Sequence, residues 1–311
     1  MTSPRRRISV VIPVYYNEES LPPLFNELVA IEGELGKRGL DLEVIFVDDG
    51  SRDGSLAQLL VFKQRRPDTR IVKLTRNFGA VHASKTGFRY VTGDAFMILA
   101  ADLQDPPALI LELADRWLAG AKYVVCAREA RDDPWPSRAF AAIYYRLVRQ
   151  LVISDYPMGG YDLALMDRAM LSHMVDSAKN INTPLFAYWL GFEPHVVRYT
   201  REKRRSGSSR WTLAKRITFF LDSLLGFSIV PIRLISLVGL MVSALSFAYG
   251  AWMVINGLLN RVPVPGFATI VALMAFLLGL VIVMLGVLGE YLWRVFDEVG
   301  RRPETVIETV Y

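Results

Sequence analysis

The sequence contains one cysteine, Cys126, so an internal disulfide is impossible and a reducing compartment suits the chain. Its three histidines, His82, His173 and His195, are scattered, and no serine triad, Cys-His pair or His-rich metal site is visible in the order of residues. The loop after the first strand-like run lacks G-x-G-x-x-G, which removes the usual dinucleotide fingerprint. G-x-x-x-x-G-K-[ST] is missing as well, which removes a P-loop NTPase. There is no internal repeat and no low-complexity linker. Arg5-Arg6-Arg7 leads straight into a strand-like run where a signal peptide would have a long apolar stretch, so none is expected.

Charge is missing from two long spans, Leu234–Asn256 and Val262–Gly289. They account for much of the 52% hydrophobic content and the mean hydropathy of +0.27. A membrane-crossing helix needs about 20 apolar residues, and both spans reach that length. A pair of buried helices in a soluble bundle is the alternative. Arg233, Arg294, Arg301 and Arg302 flank the pair while the turn carries only Arg261, so both ends and the large N-terminal part are expected on the cytoplasmic side of the inner membrane. The net charge of +5 suits an anionic membrane surface.

The 311 residues are enough for one domain of roughly 200–250 residues plus an appendage. Short β-branched or apolar runs at 8–14, 43–47, 70–74, 95–99 and 122–126 alternate with helix-period segments at 20–36, 54–65, 80–91 and 107–119. That alternation implies an α/β fold with a doubly wound, mostly parallel sheet, in which ligands sit beyond the carboxyl ends of the strands. Polar clusters stand at four successive ends: Pro13-Val-Tyr-Tyr-Asn-Glu-Glu19, Asp48-Asp49-Gly50-Ser51, Thr75-Arg76-Asn77-Phe78-Gly79, and the end of ILAADLQDPP at 98–107. Four together on one edge argue for a site. A nucleotide could bind there through carboxylates on its base and ribose, with its pyrophosphate left to a metal.

The ILAADLQDPP stretch ends an apolar run in Asp102, Gln104 and Asp105. Mg²⁺ and Mn²⁺ favour oxygen ligands and often bridge substrate phosphates through one or two protein groups. Asp102 and Gln104, two apart on an extended strand end, are expected to project to one side and clamp one such cation. The cation would neutralise charge on a departing diphosphate.

IPVYYNEES, VDDGSRDGS, RNFG and ADLQDPP together resemble the glycosyltransferase family 2 pattern, and with the C-terminal hairpin the chain looks like a polyprenyl-phosphate glycosyltransferase of the dolichol-phosphate mannose synthase or bactoprenol glucosyltransferase kind. The resemblance implies a GT-A-like domain and inversion at the sugar carbon. It implies a nucleotide-sugar donor (UDP-glucose or similar) near Pro13, Tyr15, Asp48, Asp49 and Asp102, with Glu18 or Glu19 matching the family's acid. It also implies Mg²⁺ or Mn²⁺ on Asp102 and Gln104. The chain departs from the commoner D-A-D-L-Q by carrying Ala100 in place of the first acid, and from P-V-Y-N-E by one extra aromatic.

Residues 198–216 hold eight basic residues and one acid just before the apolar spans. Such a stretch is drawn to an anionic leaflet by about 1 kcal/mol per Lys or Arg. Nucleic-acid binding is the weaker reading, because aromatics are sparse. Arg205-Ser-Gly-Ser-Ser209-Arg210 resembles the family's R-x-G-x-S-K segment, and Arg128 and Arg138 resemble two further family arginines. These residues are expected to hold the phosphate of a polyprenyl acceptor, undecaprenyl or dolichyl, with Arg205 acting in catalysis beside Asp102 and Asp162. Asp162 matches the acid near the acceptor. A lipid monophosphate is already largely dianionic and needs no general base, so orienting ligands is one role open to Asp162 and proton removal the other.

Segments 137–152 and 211–227 have apolar faces; the first suits either the membrane interface or the domain core, the second the interface. The expected layout is a cytoplasmic catalytic domain over 1–210, a juxtamembrane amphipathic helix over 211–232, membrane helices near 234–256 and 264–289 within 233–293, and a cytoplasmic tail over 294–311. Gly-rich helix faces suit a homo-oligomer, and the strand-like tail suits pairing with a neighbouring subunit. Two other functions share part of the pattern. A processive polysaccharide synthase has the same donor domain, but here Arg210-Trp211 lacks the glutamine of Q-x-x-R-W. A non-catalytic sugar-lipid binding subunit would account for Ala100.

Overall fold

Runs of Val, Ile and Leu that are apolar on both faces can be buried only between two layers of helix, and that is how the chain is built. The computed structural model describes residues 5–128, 135–157, 159–179, 181–199, 220, 223, 225–259, 266–300 and 302–311. Within it, β1 (Arg6–Val14), β2 (Leu40–Asp48), β3 (Arg70–Leu74), β4 (Ala95–Ile98), β5 (Tyr123–Arg128), β6 (Leu163–Asp167), β7 (Pro194–Tyr199) and β8 (Ile307–Val310) form one sheet. Their order is β7-β5-β6-β4-β1-β2-β3-β8.

Ile8, Val10, Ile12 and Val14 of β1 pack with Leu21, Leu24, Leu28, Ile31 and Leu35 of α1 (Leu21–Lys37). Leu59 and Phe62 of α2 (Ser55–Arg65) and Ile110, Leu113 and Trp117 of α4 (Leu109–Leu118) join the same core. Each such side chain contributes about 1.5–3 kcal/mol when fully buried. On the opposite face α3 (Ala80–Phe88) lies against β1 and β2. Gly87 makes that approach possible, since a Cβ there would stand 2.3 Å from Val11 Cγ1. Next to α3 comes α6 (Leu171–Val175), which touches α7 (Thr183–Trp189). Helix α5 (Trp135–Leu151) turns Tyr144 and Val148, one turn apart, into the protein, so of the two expectations for this segment it takes packing on the domain.

The sheet is mixed. Strand β6 runs antiparallel to β4 and β5, and β8 antiparallel to β3; all other neighbours are parallel. The carboxyl ends of β1 to β5 and β7 therefore share one edge with the amino ends of β6 and β8. Strand order reverses between β1 and β4, which opens the crevice where such sheets receive ligands. The tail pairs with β3 of its own chain (Val72 opposite Val310, Lys73 opposite Thr309), in place of the neighbouring subunit expected from sequence.

The chain divides into two units, one of Met1–Ser223 with Pro303–Tyr311 and one of Leu224–Arg302. The second holds α8 (Val230–Leu258) and α9 (Phe267–Val299). Gly239 of α8 faces Met284 of α9. Val230–Trp252 and Phe276–Val299 are each long and apolar enough to cross a membrane, and neither is buried within the chain's own described residues. Helix α9 continues through Glu290 and Arg294, past the expected end at Gly289, because helical hydrogen bonding needs no apolar side chains.

Candidate active site

Loops one and two on the shared edge are stitched together by side chains that accept backbone N–H groups. Tyr15 N donates to Asn17 Oδ1 at 2.8 Å, Tyr16 N to Ser51 Oγ at 3.2 Å, and Asn17 N to Ser55 Oγ at 2.9 Å. The extra aromatic, Tyr16, is accommodated by a left-handed backbone, φ 54°, an uncommon state for a bulky residue. Glu18 Oε2 accepts from Gly54 N at 2.8 Å, just ahead of α2. This carboxylate is engaged with loop two. Pro13 and Tyr15 are half-buried beside the crevice.

Asp48 and Asp49 are both buried, and burial pushes both carboxyls above the usual range. Their surroundings differ. Asp49 Oδ1 accepts from Phe78 N at 2.7 Å, and its Oδ2 from Gly79 N and Asn77 Nδ2, both at 2.9 Å. It is the fastening of loop three, and Gly50 permits the approach: at φ +72° a Cβ would lie 2.6 Å from the Arg76 backbone. Asp48 Oδ1 accepts from Ser51 N at 3.1 Å, while its Oδ2 is buried with no hydrogen-bond partner among the described residues. An acceptor held dry without a partner is costly.

Asp102 and Gln104 do not sit on an extended strand. Strand β4 ends at Ile98, and Leu103, buried, has φ 56°. The pair is brought round by a left-handed turn, with Asp102 and Gln104 half-buried on either side of Leu103. Asp102 Oδ1 accepts from Gln104 N at 3.3 Å. Among the described residues no three His, Cys, Asp or Glu side chains gather as a metal site. One carboxylate and one amide fit a hard cation that keeps waters and shares phosphate oxygens with a substrate; they do not suffice for a resident structural ion.

Beyond β4 the edge is organised by tyrosines. Tyr199, the last residue of β7, lies opposite Arg128 in the β5–β7 register. Its hydroxyl is 2.6 Å from Asp105 Oδ1 and 2.8 Å from Asp162 Oδ2. Burial, then the two carboxylates, drive its ionisation far above that of an ordinary phenol. Tyr199 thus joins the ADLQDPP loop to the Asp162 loop, a connection the sequence reading missed; its place at the head of the basic run is the only signal it offered. Behind it, Tyr123 OH donates to Tyr161 OH at 2.6 Å, and Tyr188 OH to the Asp155 carbonyl at 3.0 Å. Asn182 caps α7 through Leu185 N at 3.1 Å and donates to Ser223 Oγ at 2.7 Å, which also meets Tyr144 OH at 3.0 Å. Burial first, then the Glu112, Asp105 and Asp162 charges, push the Cys126 thiol up to about 12, leaving it unreactive. Arg205, Ser209 and Arg210 lie outside the described residues, as do the side chains of Arg128 and Arg138 and the 211–219 part of the expected juxtamembrane helix.

A three-layer α/β fold with acidic loops at the switch point is the frame of a GT-A-type sugar transferase. A solved mannosyltransferase of Pyrobaculum calidifontis, in complex with GDP-Man and Mn²⁺, has the same frame, with a TM-score of 0.52 at 18% identity over 91% of this chain and 88% of that one. The model of glycosyl transferase family 2 matches residues 9–175, and the chain belongs to that family; it is a glycosyltransferase. A Synechocystis glycosyltransferase whose activity is uncharacterised is 34% identical over 307 residues, covering 98% of this chain and 95% of its own. The prophage-derived bactoprenol glucosyl transferase of Shigella flexneri is 33% identical over 304 residues, 97% of each chain.

Proposed function

We propose that the enzyme moves one sugar from a nucleotide diphosphate, UDP-glucose or a close analogue, to a polyprenyl phosphate at the cytoplasmic face of the inner membrane. The carrying observation is that a relative named for bactoprenol glucosyl transfer matches 97% of this chain, which spans both the sheet domain and the two long apolar helices.

Pro13 and Tyr15 flank the donor base, and the partnerless Asp48 Oδ2 accepts its N–H, which supplies the missing hydrogen bond. Asp49 and Glu18 keep the three loops in place. Asp102 and Gln104 would hold Mg²⁺ or Mn²⁺. When bound, the cation offsets the charge that develops on the leaving group. Arg128, Arg138, Arg205, Ser209 and Arg210 hold the lipid phosphate by paired N–H donors and a hydroxyl. A phosphate oxygen attacks the anomeric carbon opposite the diphosphate, the new C–O bond forming as the old one breaks, with inversion. Arg205 stabilises charge as this occurs. The acceptor is already anionic, so Asp162 has no proton to remove; its hydrogen bond with Tyr199 supports an orienting role.

Arg233 and Arg294 at the helix ends support the stated orientation. Gly250, Gly279, Gly286 and Gly289 leave open small-residue faces, which suit packing against further copies of the chain. The test is transfer by the full chain in lipid nanodiscs supplied with polyprenyl phosphate, Mg²⁺ or Mn²⁺, and UDP-glucose, UDP-galactose, UDP-N-acetylglucosamine or GDP-mannose. One donor giving glycolipid only with metal present is the expected result. Binding of donor without turnover by any of them would favour a non-catalytic subunit.

A further inference from the structure

Helix α3 carries two side chains that the proposed reaction does not use. Lys85 is only 2% exposed. Its Nζ lies 3.0 Å from Glu304 Oε1 and donates to the Ser177 carbonyl at 2.8 Å and the Ala178 carbonyl at 3.1 Å. His82 Nδ1 is 2.9 Å from the same Glu304 oxygen. Next in the chain, the buried Thr305 hydroxyl meets Thr86 Oγ1 at 2.6 Å, and the tail then enters β8. Burial works to raise the Glu304 carboxyl, yet the His82 hydrogen bond and the Lys85 ammonium outweigh it and hold the group below its ordinary range. An ammonium this dry persists only with a partner, and the partner is supplied by the tail.

The helix so gripped begins at Gly79, whose N–H, with that of Phe78, is held by Asp49 next to Asp48. Ala83 N closes the first turn on the Gly79 carbonyl at 3.0 Å. His82 therefore stands one turn from loop three and Lys85 one turn further. The tail grips the first two turns of the short helix whose N-terminal approach is held by Asp49.

We infer that the C-terminal tail is part of the nucleotide-binding apparatus, with Glu304 a positioning residue that sets α3, and through it loop three and the Asp48–Asp49 pair, against the donor. The inference rests on the proposed donor role of Asp48.

The test uses the full chain in nanodiscs and compares Glu304→Gln, Glu304→Asp and the double variant Lys85→Met/Glu304→Leu, which removes both buried charges together. Donor KM, lipid KM, kcat and Tm are read for each. Glu304→Gln is expected to raise donor KM about tenfold, as coupling through packed elements permits, while kcat and lipid KM change less than about twofold. Glu304→Asp, which keeps the charge, should recover part of the donor affinity. If Glu304→Gln fails to fold, the double variant carries the comparison and should show the same rise. An unchanged donor KM in a folded variant, or equal changes in donor KM, lipid KM and kcat, overturns the inference. Asp48→Asn run alongside separates the two readings: if it too leaves donor KM unchanged, the donor assignment has failed, and if it alone raises donor KM, only the role of Glu304 has failed.

Discussion

On the β1–β2–β3 side of the sheet edge, loops are held by carboxylate, amide and serine oxygens that accept backbone N–H groups: Asp49 holds Phe78 and Gly79, Glu18 holds Gly54, Asn17 holds Tyr15, and Ser51 and Ser55 hold Tyr16 and Asn17. On the β5–β6–β7 side the ties run from side chain to side chain through hydroxyls, with Tyr199 between Asp105 and Asp162, and Tyr144 and Ser223 around Asn182. Backbone donors remain whatever the sequence, so the first half keeps its shape as long as its few acceptors do. In the second half each tie is one removable oxygen joining segments far apart in the chain. The half assigned to the donor is a preformed cradle, and the half assigned to the acceptor is assembled from long-range side-chain contacts.

Three substitutions and one labelling experiment bear on that contrast. Asp102→Ala, between the halves, removes the one carboxylate of the proposed metal pair and should lower transfer by about 10³-fold, as loss of leaving-group stabilisation does; steady-state kinetics at saturating metal check it. Asp48→Asn should raise donor KM roughly thirtyfold, the cost of losing a charged acceptor. The same variant should gain stability. Burial raises the Asp48 carboxyl above its unfolded value, so the ionised group opposes folding at neutral pH, and that penalty is relieved only as pH falls through the raised pKa. Thermal unfolding of the ligand-free chain at pH 7 should show a Tm about 2–4 °C higher. Tyr199→Phe should cut kcat about fivefold, the size of one lost hydrogen bond, with donor KM unchanged; a rise in donor KM instead would erase the division between the halves. Cys126, in the core with a thiol pushed to about 12, should resist iodoacetamide at pH 8 in the folded chain, as mass spectrometry would show, with no loss of transfer.

The first half was readable in advance because its signals are local. Strands β1 to β4 are built around short apolar runs, each followed by its polar loop, and their boundaries fall within three residues of expectation. Strand β6 has an apolar run of only four residues, Leu163–Met166, with no polar loop motif after it, and β7 is largely exposed and runs into the basic stretch, so neither stood out. The tail was read as a strand, but its partner was not, since an IETV alternation fits any open edge and β3 lies more than 200 positions away. Asp102 and Gln104 were found by motif, although the left-handed Leu103 between them was not foreseen. Tyr199 and Glu304 escaped because a tyrosine ending a strand and a glutamate in a tail acquire meaning only from partners the fold brings to them.

The central claim is transfer of a single sugar to a lipid phosphate. Mass spectrometry of polyprenyl phosphate recovered from nanodiscs, after prolonged incubation with the full chain, Mn²⁺ and excess donor, tests it most directly. The account predicts one new lipid species, heavier by one sugar residue and absent with Asp102→Ala. A ladder of sugar increments, or free sugar beside unmodified lipid, would contradict it.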